Sequence, residues 1–213
     1  MMKKLKKLVL ADYSGRLLLD FVLAYALLRG NGLLVLLLPR FLSSNWTVFF
    51  QLCYFLGLSY LAFRLKWMEH KDFKRLPKGG YLITAVMLLL MFSSATVTSL
   101  ISHHVASNQE NVLALLETVP VIAFATYLMI ASILEEIIFR GILFGLSEIS
   151  VVDIVLTSML FAVIHQPDSP LVFATYLSLG LCLGYQRYKV GLGGSMLLHV
   201  LWNLLVLVYT LFV

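Results

Sequence analysis

The chain has 213 residues, 61% of them hydrophobic and 13% charged, with a formal net charge of +5 and a mean hydropathy of +0.93. A water-soluble domain of this length needs far more polar surface, so the composition excludes one and points to an integral membrane protein. The basic residues gather at the ends of apolar runs rather than in one patch, which argues for a lipid bilayer and against nucleic acid as the partner.

The apolar runs have the length of about 20 residues that a spanning helix needs, and they lack the short alternating segments of a membrane barrel. The expected fold is all-α, a polytopic transmembrane helical bundle of about seven spans in a single domain, residues 1–213. The chain opens with "MMKKLKK", a basic head. Asp12, Arg16 and Asp20 then follow at i, i+4 spacing, so they share one helix face and neutralise each other. Residues 8–28 read as an interfacial stretch, with the crossing made mainly by residues 17–38. Further spans are expected at 46–63, 80–101, 119–146, 151–166, 170–186 and 193–213. Cys53 and Cys182 lie in apolar runs and read as small core residues. No small-residue cleavage site follows the first apolar stretch, so no removable signal peptide is expected.

Loop charge orients the spans. Six Lys/Arg lie between Arg64 and Lys78, four lie in the head, two lie in "QRYK", and residues 102–118 hold none. The positive-inside rule then predicts a multi-pass protein of a cell membrane with a cytoplasmic N-terminus. The 64–78 and 187–192 loops fall on the same side, and the 102–118 connection and the C-terminus fall outside.

Ionisable groups at mid-membrane are costly and are functional candidates by default. Those read within the spans are Glu135, Glu136, Arg140, His165, His199 and Asn203. Glu136 and Arg140 are i, i+4 and suit a buried ion pair on one face. Glu135 is turned about 100° from Glu136 and meets another neighbour. His199 and Asn203 repeat the i, i+4 spacing. His165 ends "FAVIH", just before "QPDSP". Counted from the nearest turn at the helical rise, Glu135, His165 and Asn203 lie roughly 18–23 Å deep, with His199 one turn shallower. A lone intramembrane histidine is more often a packing residue, and an asparagine is usually interhelical glue. Four such groups at one level, from three helices, argue for a site.

A carboxylate facing an imidazole can hold and deprotonate a water. A second histidine with an asparagine offers donors to the oxyanion of an attacked carbonyl. Glu135, His165 and His199 equally form a ligand set for a divalent ion such as zinc, which would activate the water itself. No H-E-x-x-H occurs. Ser158 and Ser195 read as small polar residues of spans. Residue spacing leaves the metal-free and metal-dependent readings both open.

"EEIIFR", "FAVIH" and "HVLWN" together fit E-E-x-x-x-R, F-x-x-x-H and H-x-x-x-N, in that order and inside apolar helices. In this the chain resembles the CPBP family of type II CAAX prenyl endopeptidases and bacteriocin-processing or bacteriocin-immunity (Abi) proteins, over residues of about 108–205. The resemblance implies an intramembrane endopeptidase acting on a peptide or protein. It implies that Glu135 and His165 activate the water, that His199 and Asn203 stabilise the oxyanion, and that Glu136 and Arg140 shape the site. The family is described both as glutamate-type and as metal-dependent. The short loops look more like its bacterial Abi branch, so a prenylated substrate is not expected, and bacteriocin processing or self-immunity is. The competing class is a non-catalytic transporter or immunity scaffold using the same polar cluster. Two related halves with broken helices would favour a transporter, and no such repeat is read.

Overall fold

The computed structural model describes residues 2–73, 78–102, 107–147 and 149–212, without the side chains of 2–13, 102, 107–109 and 111–112. Within these residues the chain is helical, with no strand. The helices are α1 (Met2–Leu37), α2 (Ser44–Arg64), α3 (Gly80–Ser102), α4 (Ser107–Thr118), α5 (Val121–Glu136), α6 (Ser150–Ile164), α7 (Pro170–Val190) and α8 (Leu192–Phe212). A π-helical turn, Ile137–Ile142, continues α5. Five helices are long and apolar enough to cross a membrane, and α6 is a shorter apolar helix. Together with α7, these fall on the spans expected from the sequence.

Two boundaries differ from expectation. The interfacial stretch and the first crossing are one continuous 36-residue helix, α1, because nothing between Met2 and Leu37 breaks it: no proline occurs there, and isolated glycines only weaken a helix. Arg16 pairs with Asp20 at 3.9 Å, while the side chain of Asp12 lies outside the described residues. The 102–118 connection contains the short helix α4, whose ends are polar.

Local chemistry sets the remaining ends. The Ser169 hydroxyl caps α7 by accepting from the Val172 amide at 3.2 Å, and Pro170 occupies the first turn, where its missing N–H costs nothing. Gly191 closes α7 with φ 100° and lets α8 begin at the next residue. That left-handed backbone disfavours any side chain.

The helices run up and down. The Trp67 and Asp72 carbonyls of the segment after α2 lie against Gly141 and Gly193, so this segment, residues 143–147 and Gly191 share one end of the bundle. Val35, Val119, Phe124 and Leu207 pack together at the other end. The outer surface carries many exposed leucines, valines and phenylalanines, as a lipid-facing surface should. Lipid tails are as apolar as leucine, so helix association rests on close packing and interhelical hydrogen bonds. The buried Asn31 and Gln51 donate to the α5 carbonyls of Tyr127 and Ala123 at 3.0 and 3.1 Å. Gln186 of α7 donates to Thr84 of α3 at 2.6 Å.

Candidate active site

Adjacent positions on a helix diverge by about 100°, and α5 uses this to send its two glutamates in different directions. Glu136 points into the bundle, fully buried, and meets three donors. Arg140 Nη1 lies 3.2 Å from its Oε1, in the expected ion pair. His199 Nδ1 donates to the same oxygen at 2.9 Å. The Ser195 hydroxyl, one turn before His199 on α8, donates to Oε2. Arg140 is equally enclosed: its Nη2 donates to the Gly180 carbonyl of α7 at 2.9 Å, and its guanidinium lies 5.0 Å from the Phe161 ring centroid. A buried charge pair is tolerated when its remaining hydrogen-bonding capacity is met, and these partners meet most of it, leaving Arg140 Nε without one among the described residues.

The π-helical turn supplies part of that arrangement. A wider turn, bonding i to i+5, releases carbonyls from the regular ladder. The Arg140 carbonyl instead accepts from Arg187 Nε at 2.8 Å, which ties the turn to the end of α7.

Glu135 faces the other way, towards α6 and α8. Its Oε2 lies 3.9 Å from Nε2 of His165 and 3.9 Å from Nε2 of His199. That oxygen is buried and has no hydrogen-bond partner among the described residues. The far nitrogens explain how the two rings are held. His165 Nδ1 lies 2.7 Å from the Phe161 carbonyl, and a carbonyl can only accept, so Nδ1 carries the proton. His199 Nδ1 is likewise committed to the Glu136 carboxylate. In neutral imidazoles with those tautomers, both Nε2 atoms present lone pairs. Three acceptors from three helices therefore converge, and such a point attracts a proton-bearing species or a cation.

Aromatic rings enclose the cluster. Phe161 lies 4.4 Å from the His165 ring and 5.8 Å from the His199 ring, centroid to centroid. Tyr176 of α7 stacks on His165 at 4.5 Å and 26°. Asn203 lies one turn beyond His199, and its amide donates to the Ser132 hydroxyl at 2.8 Å. A primary amide has two N–H bonds, and Ser132 takes one. A cleft of about 660 Å³ opens between α2, α5 and α8, lined by Phe55, Phe63, Met129, Ile133, Met196 and Val200 among others, and none of the three clustered residues lines it.

Of the residues singled out from sequence, Glu135, His165 and His199 form one cluster, Glu136 and Arg140 support it, and Asn203 borders it. Ser195, Ser132 and Tyr176 were not anticipated. For Ser195 the available signal was its position four residues before His199, which puts both on one helix face.

Residues 117–205 match the family model described as type II CAAX prenyl endopeptidase Rce1-like. This segment is similar to the Rce1-like family. The match agrees with the CPBP resemblance and covers all six residues above. The Rce1-like family is one of CAAX-type intramembrane proteases, and the helices found here make the chain a multi-pass membrane protein. No curated protein and no solved structure matches the chain.

Proposed function

We propose that the protein is an intramembrane endopeptidase in which Glu135 and His165 activate a water for attack on a peptide carbonyl. The observation that carries this reading is the convergence of Glu135 Oε2 with two imidazole Nε2 atoms, each 3.9 Å away. A water within hydrogen-bonding distance, about 2.8 Å, of two acceptors readily bridges such a gap. Glu135 takes the water's proton as the oxygen adds to the carbonyl carbon. The C–N bond then breaks, and the proton passes to the leaving amine. The second N–H of Asn203 supplies a donor to the oxyanion, and His199 supplies another when it takes up a proton beside the Glu136 carboxylate.

The same three residues are also the candidate ligands for a resident metal. Their chemistry fits, and carbonyl- or carboxylate-bonded Nδ1 atoms are usual behind metal-bound histidines. The spacing does not fit. Tetrahedral zinc, with bonds of about 2.0–2.2 Å, places neighbouring ligand atoms roughly 3.4 Å apart, whereas these lie at 3.9 Å. No trio of His, Cys, Asp or Glu among the described residues has metal-site geometry. The steps above therefore use the chain's own groups.

For physiological role we favour processing of, or immunity to, a bacteriocin-like peptide. This rests on the short loops and on likeness to the Abi branch. The decisive experiment incubates purified protein with an internally quenched peptide library and maps the products by mass spectrometry. Cleavage by the wild type and its loss in Glu135→Gln and His165→Ala are expected. Wild-type turnover in Glu135→Gln would reject the mechanism, and absence of any cleavage would favour a non-catalytic scaffold.

A further inference from the structure

Arg29 lies inside the apolar run of α1, although the polar residues read within the spans did not include it. Its depth follows from the neighbouring helix. The Tyr54 hydroxyl donates to the Leu27 carbonyl at 2.7 Å, and Tyr54 is midway between Ser44 and Arg64, the ends of α2. The Leu27–Gly30 turn therefore sits at mid-span. The way Arg29 faces follows from helical periodicity. Ala24, Asn31 and Val35 are buried on the bundle side, and Asn31 bonds to α5. Arg29 precedes Asn31 by two positions, about 200° around the helix. It falls in the exposed stripe of Leu18, Val22, Ala26 and Leu33.

An exposed arginine at that depth is surrounded by lipid tails. The hydrocarbon core is about 30 Å thick, so each interface is about 15 Å away, beyond a single side chain's reach. Helical side chains also lean towards the N-terminus rather than outward along the chain. Among the described residues Arg29 forms no ion pair. Tyr127 lies within its field but returns no charge.

We propose that this stripe is a docking face for the transmembrane helix of another protein that carries one Asp or Glu at mid-membrane. Charge complementarity selects the partner. A second copy of this chain does not fit, because Glu136 and Asp153 are buried, Glu135 faces the two histidines, and Asp20 pairs with Arg16. Stripe against stripe, two copies would bring Arg29 to Arg29. Ala26 and Gly32 flank the arginine, with open space around Gly32, so a partner backbone can approach closely, as small residues allow in membranes.

The test uses full-length protein with Cys53→Ala and Cys182→Ala, carrying a fluorophore at Phe41→Cys, in phosphatidylcholine vesicles. The probe is a synthetic helix of about 20 leucine and alanine residues with a central Asp, or with Leu in its place, bearing an acceptor dye. Energy transfer should show the Asp helix bound about five- to thirtyfold more tightly, the range of membrane-interior polar pairs. Arg29→Lys should keep most of that preference, and Arg29→Leu should erase it. Equal binding of the two peptides, or a preference that survives Arg29→Leu, overturns the proposal. So does loss of the preference in vesicles containing phosphatidylglycerol, which would identify Arg29 as a site for lipid phosphate.

Discussion

Glu136 accepts from Arg140, His199 and Ser195, whereas Glu135 Oε2 has no such partner and faces two imidazoles. Neutralising each glutamate should therefore produce different defects. Glu135→Gln should abolish cleavage while the protein accumulates and melts as the wild type does. Glu136→Gln leaves Arg140 buried without its counter-charge, a loss of roughly 3–5 kcal/mol. Its main symptom should be a lower melting temperature and poor accumulation, with activity lost as a consequence. If Glu135→Gln unfolds the protein more than Glu136→Gln, the division of labour is wrong. Ser195→Ala removes a donor to a buried carboxylate, at about 1–3 kcal/mol, and should lower turnover by loosening His199. Ser158→Ala, which removes a buried hydroxyl bonded among the described residues only to its own helix at Ile154, should leave turnover unchanged. The Glu136–Arg140 pair and the divergence of the two glutamates were legible because i, i+4 spacing and the 100° step are properties of any helix. Spacing put Ser195 on the face of His199, but its bond to Glu136 was not legible, since a serine in a span has the same local pattern whether it bonds to its own turn or to a neighbour.

At the scale of elements, the segment after α2 folds back beneath the site. Trp67 and Met68 are buried, and two carbonyls of the segment touch glycines in the elements that carry Arg140 and His199. A Cβ at Gly141 would lie 2.6 Å from the Trp67 carbonyl oxygen, and one at Gly193 would meet the Asp72 carbonyl. Both obstacles are backbone and cannot rotate away. Gly141→Ala and Gly193→Ala should each lower the melting temperature and open the 65–73 segment to limited proteolysis. Gly57→Ala has open space around it and should be neutral or stabilising by about 1 kcal/mol, the helix-propensity difference. Unchanged proteolysis in both tight-contact variants would show that the segment is not held there. Helix boundaries were readable because polar or Gly/Pro residues bound each apolar run. The π-helical turn was not, because one extra residue per turn leaves composition and periodicity almost unchanged. The docking of residues 65–73 was hidden as well, being a long-range contact of backbone atoms.

For the whole molecule, alternating helix direction puts residues 65–73 and Gly191 at one end and the C-terminal turn of α8 at the other. The relative arrangement thus agrees with the loop-charge reading, and the side of the membrane is a prediction. Single cysteines at Lys71 and Glu110, in a protein freed of Cys53 and Cys182, should react with an impermeant thiol reagent from opposite faces, Lys71 from the cytoplasm. Labelling of both from one face would reject that topology. The bundle was legible in the sequence as a set of spans, and the three motifs placed their polar groups at one depth. Which lateral faces meet was not, because apolar side chains towards lipid and towards neighbouring helices look alike.

The shortness of α6 has a consequence for the surrounding bilayer. Its 15 residues rise only about 22 Å against a hydrocarbon core of about 30 Å, and the chain leaves the helix at His165. On that flank the hydrophobic belt is too short for the membrane, and lipid tails must splay or the bilayer must thin to match it. Thinning brings the aqueous interface towards His165 and Gln166, where the proposed hydrolysis would draw its water. Acyl-chain length then becomes a control on the enzyme independent of substrate affinity. In vesicles of increasing chain length, turnover should fall as the bilayer thickens. KM for a water-soluble probe peptide should stay constant, and lengthening α6 by one apolar turn should flatten the dependence.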